Sequence, residues 1–187
     1  ILAIATRPDC LSDEIIEYLS TLNKKIKLII ELGFQTKHQK TINLINRGYN
    51  NDIFEQTLKK LQKENIETVV HIINGLPYET KEDMLNTVKY INKLDIQGIK
   101  IHMLSILKDT PLAYLYEKDK FHILTKDEYI DIVINQLELL RPEIVIHRIT
   151  GDPKIEDLIE PSWLIKKFCV LNDIDKEMVK RDSYQGK

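Results

Sequence analysis

Glu31-Leu32-Gly33-Phe34-Gln35-Thr36, followed after a helical stretch by Leu44-Ile45-Asn46-Arg47-Gly48, is the passage that decides the fold. An apolar, β-branched run over Lys27–Leu32 ends in a glycine-bearing turn, with Gln35 at its tip. An arginine then stands at the end of the helical residues that follow. Strand, turn and helix in this order open a βα unit. A glutamine amide both donates and accepts hydrogen bonds, and a guanidinium presents a fixed fork of donors that matches a carboxylate. Placed together at a strand–helix junction, they predict a site for a small anionic molecule at the mouth of a barrel.

The same rhythm repeats outward from this passage. Apolar runs at Leu2–Thr6, Lys27–Leu32, Thr68–Ile73, Gly98–Met103 and Ile144–Ile149 predict five strands. They are nearly continuous rather than alternating, which is expected of parallel strands covered on both faces. Between them lie amphipathic helical stretches with clear starts. Thr80 with Asp83 and Thr125 with Glu128 have the spacing of capping boxes. Ser12 precedes Asp13 and Glu14, which suit the positive end of a helix. Asn51-Asp52 begins another helix, and Gly48 is the expected stop for the one that ends near Arg47. In the helix after Thr125, apolar residues recur near a period of 3.6, with Gln136 the exception.

Five βα units fall short of a complete eightfold barrel of about 250 residues. The fold expected is therefore α/β: a partial TIM-type (β/α) barrel with parallel strands over residues 1–152 and a C-terminal helical extension over 153–187. In that extension, Ser162–Leu171 and Asp173–Arg181 read as two helices. The chain already reads as a buried strand at Ile1-Leu2-Ala3-Ile4-Ala5, so a piece of a longer protein is expected.

Composition narrows the function. Of 187 residues, 43% are hydrophobic and 30% charged, with a net charge of −2. That is globular, and it lacks the broad basic field that favours nucleic acid. Cys10 and Cys169 give no disulfide framework, so a reducing cytoplasmic location is expected. No apolar run approaches the roughly 18 residues that cross a bilayer, and no membrane association is expected.

Ligands of parallel α/β folds sit at the carboxyl ends of the strands. Those ends carry Thr6-Arg7-Pro8-Asp9, Glu31–Thr36, His71–Thr80, then His102 and Ser105 with Lys108, Asp109 and Thr110, and finally His147–Asp152. His71 and Ile73 share one side of their strand by period-two geometry. Gly75 lets backbone approach a flat ring closely. Lys108 and Asp109 read as surface residues. A His147–Asp152 acid–base pair is not demanded by the spacing.

The Gly33, Gln35 and Asn46-Arg47-Gly48 pattern resembles one half of the S-adenosylmethionine (SAM) site of radical SAM enzymes. It looks most like the branch containing oxygen-independent coproporphyrinogen oxidases and the catalytic subunit of Elongator. Gly75-Leu76-Pro77 with Glu79-Thr80 resembles the turn after the fifth core strand of that superfamily. The tail resembles the C-terminal segment of bacterial relatives of the Elongator subunit, through Pro161-Ser162-Trp163, Val170-Leu171-Asn172 and Arg181 with Tyr184-Gln185-Gly186. The resemblance implies that Gln35 contacts the ribose or methionine part of SAM and that Arg47 pairs its carboxylate. It also implies that Ile73 and the Gly75 backbone lie against the adenine. His71 stands where coproporphyrinogen oxidases carry an acidic residue facing the ribose, so it reads either as a cofactor contact or as a hydrogen-bonded core histidine. Arg47 has a second reading as a helix-terminal cation, and Trp163 as an anchor of the tail or a cover of the mouth. His102, Ser105, His147 and Arg148 are candidates for a substrate pocket.

By the same resemblance, the intact enzyme cleaves SAM reductively to a 5′-deoxyadenosyl radical that acts on a substrate, RNA by analogy with Elongator. A reductant protein such as flavodoxin or ferredoxin supplies the electron. The [4Fe–4S] cluster of that chemistry needs a short loop of three cysteines. No such loop is present, so the chain alone is expected neither to assemble the cluster nor to cleave SAM. A non-catalytic binding or scaffold domain with a degenerate barrel is the alternative from another class. A conventional barrel lyase or aldolase would need a Schiff-base lysine or metal ligands at the strand ends.

Overall fold

The computed structural model describes all residues, Ile1–Lys187. Five parallel strands form one sheet in chain order: β1 (Leu2–Thr6), β2 (Leu28–Gln35), β3 (Glu67–Asn74), β4 (Gly98–Met103) and β6 (Val145–Arg148). The two-residue β5 (Ile106–Leu107) lies outside it. Strands laid down in sequence, each beside the last, build the wall of a barrel rather than a doubly wound sheet. The connecting helices are α1 (Asp13–Asn23), α2 (Gln39–Leu44), α3 (Asn51–Lys63), α4 (Lys81–Ile91), α5 (Pro111–Lys118) and α6 (Lys126–Leu139). This is the expected partial (β/α) barrel.

The sheet has two unlike faces. Leu28, Ile30, Leu32 and Phe34 of β2 alternate onto one face with Val70, Ile72, Ile99 and Ile101, and helical Phe54, Leu58, Val88 and Val133 complete that core. The opposite face carries exposed Ala3 and Ala5 and half-buried Glu31, His71, Lys100 and His102. The expectation of cover on both faces is thus corrected. The helices cover one face, and the polar residues within the apolar runs mark the other.

Local chemistry sets the helix ends. Both capping boxes form: Asp83 N–H donates to Thr80 Oγ1 at 3.2 Å, and Glu128 N–H to Thr125 Oγ1 at 3.2 Å. Ser12 caps α1, and Asn50, one residue before the expected Asn51, caps α3. The stop after α2 is Asn46, not Gly48. Asn46 adopts φ 51°, and Arg47 N–H reaches back to Ile42 O at 3.1 Å while Asn46 N–H reaches Asn43 O at 3.2 Å. That is a Schellman closure, which asparagine tolerates second only to glycine.

The tail differs from two plain helices. Leu158–Glu160 forms a strand, β7, antiparallel to β5. A 3₁₀ turn at Ser162–Lys166 then runs into one helix, α7 (Lys167–Lys180), through the polar Asn172-Asp173. Val170 and Ile174 are buried in the main core, and that packing overrides the weak local break. Trp163 Nε1 donates to Leu124 O at 2.9 Å beside the Tyr129 ring, so Trp163 anchors the tail.

Gln136, the exception to the apolar period, has a buried partner. It and Asn74 exchange amide hydrogen bonds, both of 2.8 Å, across α6 and the end of β3. Replacing Gln136 by Leu strands a buried Asn74 amide and should destabilise by about 1–3 kcal/mol. Pairing Gln136→Leu with Asn74→Leu should recover much of that loss, and urea denaturation of the two variants checks it.

Candidate functional site

The end of β2 is bent into a tight turn around Gln35. Thr36 N–H donates to Phe34 O at 2.8 Å, and Gln35 between them has φ 63°. This is a γ-turn with positive φ at its centre, a rare and strained conformation for a residue with a Cβ. The Arg47 guanidinium holds it. Nη1 donates to Phe34 O at 2.6 Å and to Thr36 O at 3.1 Å, on either side of Gln35. Nε donates to Tyr49 O at 3.0 Å and Nη2 to Asn51 Oδ1 at 2.9 Å. The cation has no carboxylate partner and lies 4.6 Å from the Tyr49 ring centroid and 5.5 Å from that of Phe34. Burial lowers its pKa, yet carbonyl dipoles and ring faces keep it charged.

The same turn presents Gln35 inward. Its amide folds over Gly33, where an added Cβ would come within 2.9 Å of Nε2. Gln35 Oε1 is shielded from solvent and meets no protein donor. Tyr49 Oη donates to Gly33 O at 2.6 Å and fixes the floor. Next to it, the turn after β3 places Gly75 at φ 82°, with its N–H on Met84 Sδ at 3.1 Å. Thr36 Oγ1 donates to Glu79 Oε1 at 2.6 Å and ties the two turns together. Burial raises the Glu79 carboxyl, which Thr36 only partly offsets.

Across the centre of the concave face runs a polar network. Lys100 Nζ donates to Glu31 Oε2 at 2.6 Å, and His71 Nε2 lies 2.8 Å from the same oxygen. A carboxylate only accepts, so Nε2 carries the proton. Burial by itself would raise Glu31, but the two hydrogen bonds outweigh it and hold the carboxyl below its usual range. For His71, burial dominates and lowers the imidazole. His102 lies beside it, ring centroids 5.1 Å apart. Burial, helped by His71, Arg148 and Lys100, lowers His102 to about 4. His102 Nε2 is shielded and has no protein partner. Such an orphan costs about 1–3 kcal/mol.

The structure thus brings Ile73, His71 and His102 to one side of the sheet with Gln35 at its strand end, whereas Gly75 is buried, with Met103 and Leu124 packed where a Cβ would stand. Arg47 lies behind the turn, with four hydrogen bonds of its own and at most one free donor. Ser105 sits half-buried between β4 and β5. His147 is exposed over Gly98, and Arg148 is exposed beside a groove of about 380 Å³ that Lys167 and Phe168 help line. His147 does not pair with Asp152, whose carboxylate goes to Lys167. Sequence reasoning passed over Glu31, Lys100 and Tyr49. The available signal was a Glu and a Lys inside strand runs, each two residues before a selected position and so on the same face.

The fold is a parallel (β/α) barrel wall with polar side chains gathered on one face and at the strand ends. Residues 1–91 match the radical SAM superfamily and residues 96–180 the radical SAM C-terminal domain. The chain belongs to the radical SAM superfamily. Uncharacterized protein YtqA of Bacillus subtilis is 48% identical over 186 residues, covering 100% of this chain and 58% of that protein. Uncharacterized protein MJ0486 of Methanocaldococcus jannaschii is 33% identical over 187 residues, 99% of this chain and 58% of that protein. The chain therefore spans 58% of the length of these curated relatives. Among solved structures, archaeal Elp3 of Methanocaldococcus infernus with an N-terminal deletion superposes with a TM-score of 0.84 at 19% identity, over 98% of this chain and 42% of that one.

Members of this superfamily bind SAM and a [4Fe–4S] cluster. The orphaned Gln35 Oε1 fits a ligand that donates a hydrogen bond at the end of β2. A cluster does not fit these residues. Cys10 and Cys169 are free and exposed, on the segment after β1 and on α7, and no three His, Cys, Asp or Glu side chains converge as metal ligands. No helix is long and apolar enough to cross a membrane.

Two outcomes follow from this geometry. Arg47→Met should cost about 3 kcal/mol or more, because it strips buried carbonyls of a charged donor, and Arg47→Lys should recover less than half, since an ammonium lacks the fork. Thermal melts check this. In the unfolded chain a histidine takes up its proton near pH 6.5, whereas folded His102 stays neutral to about 4. The unfolded state then binds more protons between these values, so stability falls as pH falls from about 6.5 to 4, by up to about 1.4 kcal/mol per pH unit for this group. Urea denaturation of His102→Gln across that range should show a shallower pH dependence, and an unchanged one would discount the group.

Proposed function

We propose that this chain forms the SAM-binding part of a radical SAM enzyme whose [4Fe–4S] cluster is held by residues outside these 187. The observation that carries this reading is the Gln35 γ-turn. A strained turn, an unpartnered buried amide oxygen and a glycine floor meet at a strand end, and Arg47 holds them in place. Gln35 binds the ribose or methionine part of the cofactor. Ile73 and the Gly75 backbone support the adenine, and His71, oriented by Glu31, faces the ribose. Arg47 takes the role of a positioning residue that fixes Gln35, in place of a direct partner for the methionine carboxylate. His102, Ser105, His147 and Arg148 line the substrate side. Residues 1–152 act as the barrel core and 153–187 as an extension that covers its far edge.

The cofactor supplies reductive carbon–sulfur cleavage and hydrogen abstraction from the substrate, with the electron drawn from a protein reductant such as flavodoxin or ferredoxin. The protein's part is binding, orientation and exclusion of water. An RNA substrate draws no support from a net charge of −2. The competing reading is a non-catalytic ligand-binding or scaffold domain with a degenerate barrel.

Anaerobic reconstitution of the full-length protein separates the two. The enzyme reading expects about four irons per chain and reductant-dependent formation of 5′-deoxyadenosine from SAM; neither appears for a scaffold. The 187-residue chain alone should bind no iron. Gly33→Ala should weaken SAM binding about tenfold or more while leaving iron content intact, because the new methyl displaces the Gln35 amide. Unaltered SAM affinity in that variant would remove Gln35 from the cofactor site.

A further inference from the structure

Two hydrogen-bonding groups on the concave face are left over once Glu31 has engaged Lys100 and His71. The first is His102, whose Nε2 is shielded from solvent without a protein partner. The second is Arg148, the register neighbour of Lys100 on β6. Its closest opposite charge, Asp152, is 3.7 Å away, beyond hydrogen-bonding range, and that carboxylate already belongs to Lys167. Arg148 is close enough for its charge to bear on both imidazoles. Its side chain is 41% exposed and borders the groove of about 380 Å³ beside β6.

The chemistry of the pair is selective. A neutral imidazole offers one donor and one acceptor, and a guanidinium offers a flat fork of donors only. The fork matches both oxygens of a carboxylate, and the imidazole N–H can add a further bond to one of them. A tetrahedral dianion would call for a second free cation, but Lys100 is tied to Glu31 at 2.6 Å. A neutral amide would leave the guanidinium charge unmatched.

We propose that His102 and Arg148 form a receptor for a carboxylate group on the substrate. The proposal rests on the reading of the concave face as the reaction chamber. It places the carboxylate across the sheet from the Gln35 turn, on the β4–β6 side, with the groove beside Arg148 as its way in. The substrate class it names is a carboxylic acid, small enough at that end to enter between β6 and α7.

The test uses the full-length protein with ¹⁵N-labelled histidine, titrated at constant ionic strength near pH 7 with acetate, acetamide and inorganic phosphate. Acetate should move the His102 ring resonances saturably, acetamide should not, and phosphate should act more weakly. Arg148→Met should raise the half-saturating acetate concentration about tenfold or more, and Arg148→Lys should restore only part of it. Equal responses to acetate and acetamide, phosphate binding as tight as acetate, or unchanged half-saturation in Arg148→Met would each overturn the proposal. SAM affinity of the reconstituted wild-type and Arg148→Met proteins distinguishes the two carboxylate sources. Equal affinities support a substrate carboxylate, and a parallel loss assigns Arg148 to the cofactor and overturns the proposal. If acetate behaves as expected but the wild type binds no SAM, the chamber reading fails and the substrate assignment with it. If SAM binds but acetate does not, only the receptor fails.

Discussion

The buried guanidinium of Arg47 is the constraint on which the ligand-facing end of the sheet depends. A γ-turn with a glutamine at positive φ is unfavourable by itself, by about 1–3 kcal/mol. It persists because one planar group gathers the carbonyls of Phe34, Thr36 and Tyr49. Phe34 O also accepts the Thr36 N–H of the turn, so the guanidinium adds a second, charged donor there. The charge is carried by dipoles and aromatic faces instead of a counter-ion, so no carboxylate competes with the carbonyls. The Schellman closure at Asn46 brings Arg47 to this spot, and the Asn50 cap lets α3 start immediately afterwards. A helix end, a strand end and a strained turn are thereby one mechanical unit.

The second organising fact is the difference between the sheet's faces. On the helix-covered side, burial of Leu, Ile, Val and Phe supplies the hydrophobic stabilisation. On the other side, a Glu, a Lys and two histidines stand in the middle of the strands. Burying charges in such a place is costly unless they are paired. Glu31 pairs with Lys100 and His71, and this leaves the network close to neutral and pins His71 in one tautomer. His102 and Arg148 remain outside that pairing. A face that is polar, partly solvated and preorganised is suited to orienting a ligand, whereas an apolar face would only have closed on itself.

Much of the architecture was legible from local signals. The strand runs, both capping boxes, Ser12 at the start of α1 and the parallel βα order all follow from short-range pattern, and they stand where expected. The misplacements have separate physical origins. Gly48 was the better local stop than Asn46, but the geometry of the closure selects the residue one step past the cap. Asn172-Asp173 marks a break on propensity grounds, and core contacts of Val170 and Ile174 carry the helix through it. Gln136 spoils a helical period until Asn74 is seen opposite. The last two involve partners distant in sequence, whereas the Asn46 closure is set by its own helix end.

The sequence by itself determined the class of fold, the strand ends at which a ligand would sit and the absence of a cluster-binding cysteine loop, because these depend on residue type and spacing. It also singled out Gln35 and Arg47 as candidate site residues. Only the tertiary structure decided what they touch. In sequence a cation near a turn invites a carboxylate. In three dimensions its donors face the backbone carbonyls of Phe34, Thr36 and Tyr49 and the side chain of Asn51, and the Gln35 amide oxygen is left without a donor. Hydrogen-bond donors are directional and few, and which acceptors they meet is a property of the packed chain.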